Sequence, residues 1–140
     1  MVLDTSVLIT GLRSSSGAAA EILRLVLLRK LTILMDYKLA CEYRDVALRV
    51  EHLIVSGKTQ EEVTLLLDML EAIAEPILVV DRHSPLSEDA NDDMVLEVAI
   101  NGSADAILTN NAKHFREAAI RFQLQLLKPA ELLKEFRIRR

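Results

Sequence analysis

Apolar residues in this chain follow two alternating rhythms. Short, unbroken, β-leaning runs occur at 2–9, 32–35, 77–80, 106–109 and 122–127. Each has a length that suits a strand buried on both faces. Between them the spacing becomes helical. In 38–55 apolar side chains recur at Leu39, Tyr43, Val46, Val50 and Leu53. Ser14-Ser15-Ser16-Gly17 reads as a turn and cap before a helix over 18–29. Thr59 is expected to cap a helix over 60–74, with Glu62 at capping-box distance and Pro76 beyond its end. A helix over 92–101 stops at Gly102, and Pro129 opens a last one over 130–136. Strands that alternate with helices predict an α/β fold whose mostly parallel sheet is covered on both faces.

The 140 residues suit one domain, 1–140, and 51% hydrophobic content excludes a disordered chain. No apolar run reaches the roughly 20 residues of a membrane span, and no signal-peptide pattern precedes the first strand. The single cysteine, Cys41, cannot form an internal disulfide, which fits a cytoplasmic protein; its helical context reads as core packing. Tyr37 and Tyr43 read as packing residues as well.

One polar residue disturbs the first apolar run. Asp4 lies in Val2-Leu3-Asp4-Thr5-Ser6-Val7-Leu8-Ile9, and a buried carboxylate requires hydrogen bonds, a counter-charge or a metal. Further acids follow at the edges of apolar segments: Glu42, Asp92 with Asp93, and Asp105. Glu42 falls at the margin of its helix's inward stripe, whereas Asp45 points to solvent. Asp92 and Asp93 suit a helix N-terminus, but Asp89, Asp92, Asp93 and Glu97 put four negative charges into nine residues, which invites a cation. In a parallel sheet, ligands bind beyond the carboxyl ends of strands where strand order reverses, so Asp4 and Thr109-Asn110-Asn111 are expected neighbours. Hard oxygen donors are plentiful. His52, His83 and His114 lack ligand spacing and read as surface or loop residues, so Mg²⁺ or Mn²⁺ is favoured over Zn²⁺. The net charge of −4 disfavours a generic nucleic-acid binder, an objection that two divalent cations would cancel. Arg13, Lys38, Arg44, Lys113 and Arg116 stand near the acidic positions in sequence.

Together the segments V-L-D-T-S-V-L-I, E-Y-R-D-V and N-D-D-M-V-L-E-V-A-I-N-G-S-A-D-A-I-L-T-N-N-A-K-H-F resemble a PIN domain, across essentially the whole chain. They are most similar to small prokaryotic VapC-like toxins of toxin–antitoxin pairs. The resemblance implies a three-layer α/β/α sandwich and a Mg²⁺- or Mn²⁺-dependent endoribonuclease acting on single-stranded or structured RNA. It places the family's acids on Asp4, Glu42 and Asp93 as catalytic and metal-binding residues. Asn111 stands at the fourth, usually acidic, metal position, and Ser6 where many relatives carry Asn. Asp92, Glu97, Asp105 and Thr109 take supporting roles beside Ser6, and Arg13, Lys38 and Lys113 are candidate RNA contacts. An antitoxin partner and a homodimer are also implied. The alternative is a catalytically weakened PIN domain that binds RNA or protein. A haloacid-dehalogenase-like phosphatase needs a second Asp where Ser6 stands, and a receiver-like domain needs paired acids after its first strand.

Overall fold

In the computed structural model, which describes residues 1–139, five two-residue strands form the centre. They are β1 (Val2–Leu3), β2 (Leu34–Met35), β3 (Glu75–Pro76), β4 (Ile107–Leu108) and β5 (Leu126–Leu127). All pairings are parallel: β1 with β4, β4 with β5, and β2 with β3. The amide of Leu34 donates to the Met1 carbonyl at 2.8 Å, which joins the two ladders edge to edge. The resulting spatial order is β3-β2-β1-β4-β5. The chain moves outward from β1 to β3 and then returns to β4 on the other side. Strand order therefore reverses between β1 and β4. Right-handed crossovers on the two sides of such a reversal lie on opposite faces of the sheet. The α/β class stands as expected, with a smaller sheet than the apolar runs suggested.

The helices are α1 (Thr5–Arg13), α2 (Ala18–Leu27), α3 (Tyr37–Ala47), α4 (Val50–Ser56), α5 (Gln60–Ile73), α6 (Ala90–Asn101), α7 (Arg116–Phe122) and α8 (Pro129–Arg139), with a 3₁₀ turn at Ala112–His114. Thr59 caps α5 in the expected capping box with Glu62. No described helix is long and apolar enough to cross a membrane.

Several boundaries differ from the sequence expectation for physical reasons. Most of the run at 2–9 is not strand: after Leu3 the chain enters α1 directly. Val7, Leu8, Ile9 and Leu12 are buried there, because α1 is packed on several sides and short apolar runs do not distinguish the two states. Gly11 permits the close approach of α2. A Cβ there would lie 2.6 Å from Leu23 Cδ1 and 3.1 Å from the Ala19 carbonyl oxygen. The expected helix over 38–55 is two helices, separated where Arg49 adopts extended backbone. No Gly or Pro marks that break. The strand expected at 77–80 is instead Glu75–Pro76, on the edge of the sheet where proline's missing N–H is tolerated. The run at 122–127 conceals the end of α7, which closes with Gln123 in the left-handed region (φ 56°). Cys41 and Tyr37 are exposed, contrary to the core role expected of both. Tyr43 is buried, and its hydroxyl donates to the Leu3 carbonyl.

A carboxylate pocket at the point of strand reversal

Asp4 sits at the joint between β1 and α1. Its backbone carbonyl accepts from the Val7 amide at 2.9 Å, so the carboxylate lies at the amino end of α1, where the helix dipole favours negative charge. Asp4 as a whole is 8% exposed. Ser6 Oγ donates to Asp4 Oδ2 at 2.8 Å, and Thr109 Oγ1 donates to the same oxygen at 2.7 Å. Asp4 Oδ1 has no hydrogen-bond partner among the described residues. The expected neighbourhood of Asp4 and Thr109 is thus a direct contact between the carboxyl ends of β1 and β4, the site that strand reversal leaves open. Thr109 Oγ1 also accepts from the Asn111 amide at 2.9 Å, which fixes the turn that carries Asn111, an exposed residue.

Asp92 and Asp93 divide their tasks in a way that adjacency in sequence concealed. Asp93, expected to be the third acid of the centre, is buried and occupied by the loop before α6. Its two carboxylate oxygens accept from the Leu86 amide at 3.2 Å each, and Oδ1 accepts from Ser87 Oγ at 2.7 Å. Asp92, expected only in support, is partly buried and close enough to Asp4 to feel its charge. Burial, then the charges of Asp89, Asp4 and, least, Asp93, push its carboxyl up to about 6, opposed by His114. The His114 ring Nδ1 is 3.6 Å from Asp92 Oδ2. Glu42 on α3 is also raised, first by burial and then by Asp45 and Asp89, with Arg49 opposing. Asp4, Asp92, Asp89 and Glu42 therefore share one field of mutually repelling carboxylates.

Other expected residues lie elsewhere. Glu97 is buried, but it serves the loop: its carboxylate accepts from the amides of His83 and Ser84 and from Ser84 Oγ. Burial pushes Glu97 up, yet these hydrogen bonds outweigh it and bring the group below the usual glutamate value. Asn101, one turn further along α6, accepts from the amides of Val80 and Asp81 through Oδ1. Asp93, Glu97 and Asn101 are spaced four apart, so they stand on one face of α6 and pin the loop as a ladder. Asp105 precedes β4, whose partner β1 runs parallel. It is therefore at the opposite end of the sheet from Asp4, beside the Met1 amino group. Arg13 closes α1, roughly 12 Å along the helix from its start at 1.5 Å per residue. Lys38 is exposed one turn before Glu42, and Lys113 is exposed two residues after Asn111. Arg44 is engaged by Asp68 and Glu71. His114 is an exposed residue of the 3₁₀ turn, in keeping with the surface or loop place its sequence suggested, and its nearness to Asp92 is set by the fold.

The donor set is suited to a hard cation: carboxylates, an amide carbonyl at Asn111 and an unpaired oxygen on Asp4. Among the described residues no three His, Cys, Asp or Glu side chains converge tightly enough to hold an ion by themselves. Compared with known families, residues 1–113 match the model described as PIN domain, which is 113 of the 140 residues and includes Asp4, Glu42, Asp89, Asp92, Asp93 and Asn111. No curated protein matches the chain.

Proposed function

The chain belongs to the PIN domain family, whose members are generally nucleases that use divalent metals, and from that premise we propose that its carboxylate pocket hydrolyses phosphodiester bonds in single-stranded or looped RNA. The observation that carries this reading is Asp4, held by Ser6 and Thr109 at the carboxyl ends of β1 and β4, with burial and the charges of Asp89 and Asp4 raising Asp92 to about 6. Such a field persists in a folded protein when a cation relieves it. Asp4 Oδ1, Asp92, Glu42 and the Asn111 carbonyl are the groups that would hold Mg²⁺ or Mn²⁺. When bound, the metal supplies an activated water and neutralises charge on the phosphate.

The chain's own residues do the rest. Ser6 and Thr109 hold Asp4 in one orientation, leaving Oδ1 directed to the pocket. Asp93 and Glu97 fix the loop that delivers Asp89 to its rim. His114, 3.6 Å from Asp92, favours its charged form. The products are a 5′-phosphate and a 3′-hydroxyl. Asn111 brings no negative charge to the fourth position, so a single metal is the simplest occupancy. The biological role we propose is the toxin of a toxin–antitoxin pair, cytoplasmic and homodimeric, silenced by an antitoxin that covers the acidic pocket.

The test is cleavage of labelled single-stranded RNAs with Mg²⁺, with Mn²⁺ and with EDTA, beside Asp92→Asn and Asp93→Asn. Metal-dependent cutting abolished in Asp92→Asn supports the reading. A folded, partner-free protein that cuts no RNA under either metal refutes it and favours a binding module.

A further inference from the structure

Three consecutive residues of α3 serve three different surroundings. Glu42 is partly buried and feels the charge of Asp89. Tyr43 is buried, 3% exposed. Arg44 pairs with Asp68 and Glu71 of α5. Neighbours on a helix project about 100° apart, so each of the three is held without displacing the others.

Tyr43 completes a ladder that the main chain leaves unfinished. Along β1 the even residues serve β4: the Val2 amide donates to the Ala106 carbonyl at 3.0 Å, and the Asp4 amide to the Leu108 carbonyl at 2.9 Å. The odd residues face β2, where the Leu34 amide donates to the Met1 carbonyl. In a parallel ladder the next bond of that series would run from the Asp36 amide to the Leu3 carbonyl. Among the described residues no such bond is made. Strand β2 ends at Met35, and Asp36 caps α3 instead, accepting from the Leu39 amide at 2.8 Å. The Tyr43 hydroxyl takes the vacated place and donates to the Leu3 carbonyl at 2.5 Å. A buried carbonyl without a donor is costly, so this bond fixes the tyrosine as firmly as its packing does.

The bond joins the residue before Asp4 to the residue after Glu42, across 40 positions of sequence. Asp4 is near enough that its charge, after burial, pushes the phenol up. We propose, resting on the metal site of the nuclease reading above, that Tyr43 is a positioning residue for the divalent cation: by clamping the Leu3 carbonyl, its hydroxyl sets where Glu42 on α3 stands relative to Asp4 on β1. The tyrosine touches neither the cation nor RNA. It governs the separation of two oxygen donors carried by different elements, and Mg²⁺ demands near-ideal octahedral geometry. Without the hydroxyl, Arg44 still ties α3 to α5, so the helix stays in place but loses its fixed reference to β1.

The experiment is Mn²⁺ binding to the metal-free protein in the absence of RNA, followed by the electron paramagnetic resonance of the unbound ion. The proteins are wild type, Tyr43→Phe, Glu42→Gln, the Glu42→Gln/Tyr43→Phe double variant, and Ile22→Val as a control in the core on α2. Tyr43→Phe keeps the ring and removes only the donor, and urea unfolding verifies that each protein is folded under the assay conditions. Loss of a group that orients metal ligands weakens affinity by about tenfold or more, and that is the effect expected of Tyr43→Phe. In the Glu42→Gln background the same change should add little, because residues that act through one another are not additive. Ile22→Val should leave the affinity unchanged. Wild-type affinity in Tyr43→Phe overturns the proposal and leaves the metal site standing. An equal loss in Ile22→Val, or the full loss repeated in the Glu42→Gln background, overturns it too, since Tyr43 then acts only on the fold at large. A protein that shows the expected losses yet cuts no RNA keeps the positioning role and removes the nuclease reading. A wild type that binds no Mn²⁺ overturns both.

Discussion

Replacing Asp92 by Asn should make the metal-free protein more stable while removing its activity. The Asp92 carboxyl is raised from its ordinary 3.8 to about 6 and is 13% exposed. At 1.36 kcal/mol per pKa unit the penalty has an upper bound of about 3 kcal/mol. Asn removes the charge but also gives up the interaction with His114, leaving an expected gain of about 1–2 kcal/mol, or roughly 3–8 °C in melting temperature for a domain of this size. The sign follows from proton linkage. Between the unfolded and folded values the native state binds more protons, so wild-type stability falls as pH rises through that interval. The advantage of the Asp92→Asn variant is thus absent below about pH 4 and complete above about pH 6. The assay is thermal or urea unfolding of both proteins in EDTA at several pH values, repeated with Mg²⁺. The ion should stabilise wild type according to its occupancy and leave the variant unchanged. A destabilised variant at neutral pH, or a difference that does not vary with pH, would show that Asp92 does not belong to the repelling cluster. Asp93→Asn supplies the contrast. The neutral amide is a weaker acceptor for Leu86 and Ser87, so this change should destabilise by about 1–2 kcal/mol and loosen the loop before α6, seen as faster amide exchange at Leu86.

Two further changes probe the scaffold. Glu97→Gln should cost about 1–2 kcal/mol at neutral pH. Because the native carboxyl lies below its ordinary value, the wild-type advantage should be present above the unfolded glutamate value and disappear as pH falls through the folded one; a loss that persists in acid would point to shape rather than charge. Gly11→Val should destabilise by roughly 1–3 kcal/mol through overpacking against Leu23 and the Ala19 carbonyl; unchanged urea unfolding would mean that α1 and α2 can separate at no cost.

The sequence by itself determined the alternation of strand and helix, a mostly parallel sheet and the approach of Asp4 to Thr109. Those features follow from local rhythm and from one topological rule, and both are written in neighbouring residues. The capping box at Thr59 and Glu62 was legible for the same reason. Only the tertiary structure shows that the loop before α6 hydrogen-bonds to Asp93, through Leu86 and Ser87, and not to its neighbour Asp92. Asp92 and Asp93 have the same chemistry and lie about 100° apart on one helix, so which of them the loop before α6 engages depends on how that loop is placed against the helix, not on local sequence. The tertiary structure also decided that the run after Asp4 is helix, since burial on several sides erases the periodicity that tells helix from strand. Asp105 shows the same limit. Its place before an apolar run resembles that of a site residue, but the direction of the parallel strands carries it to the other end of the sheet.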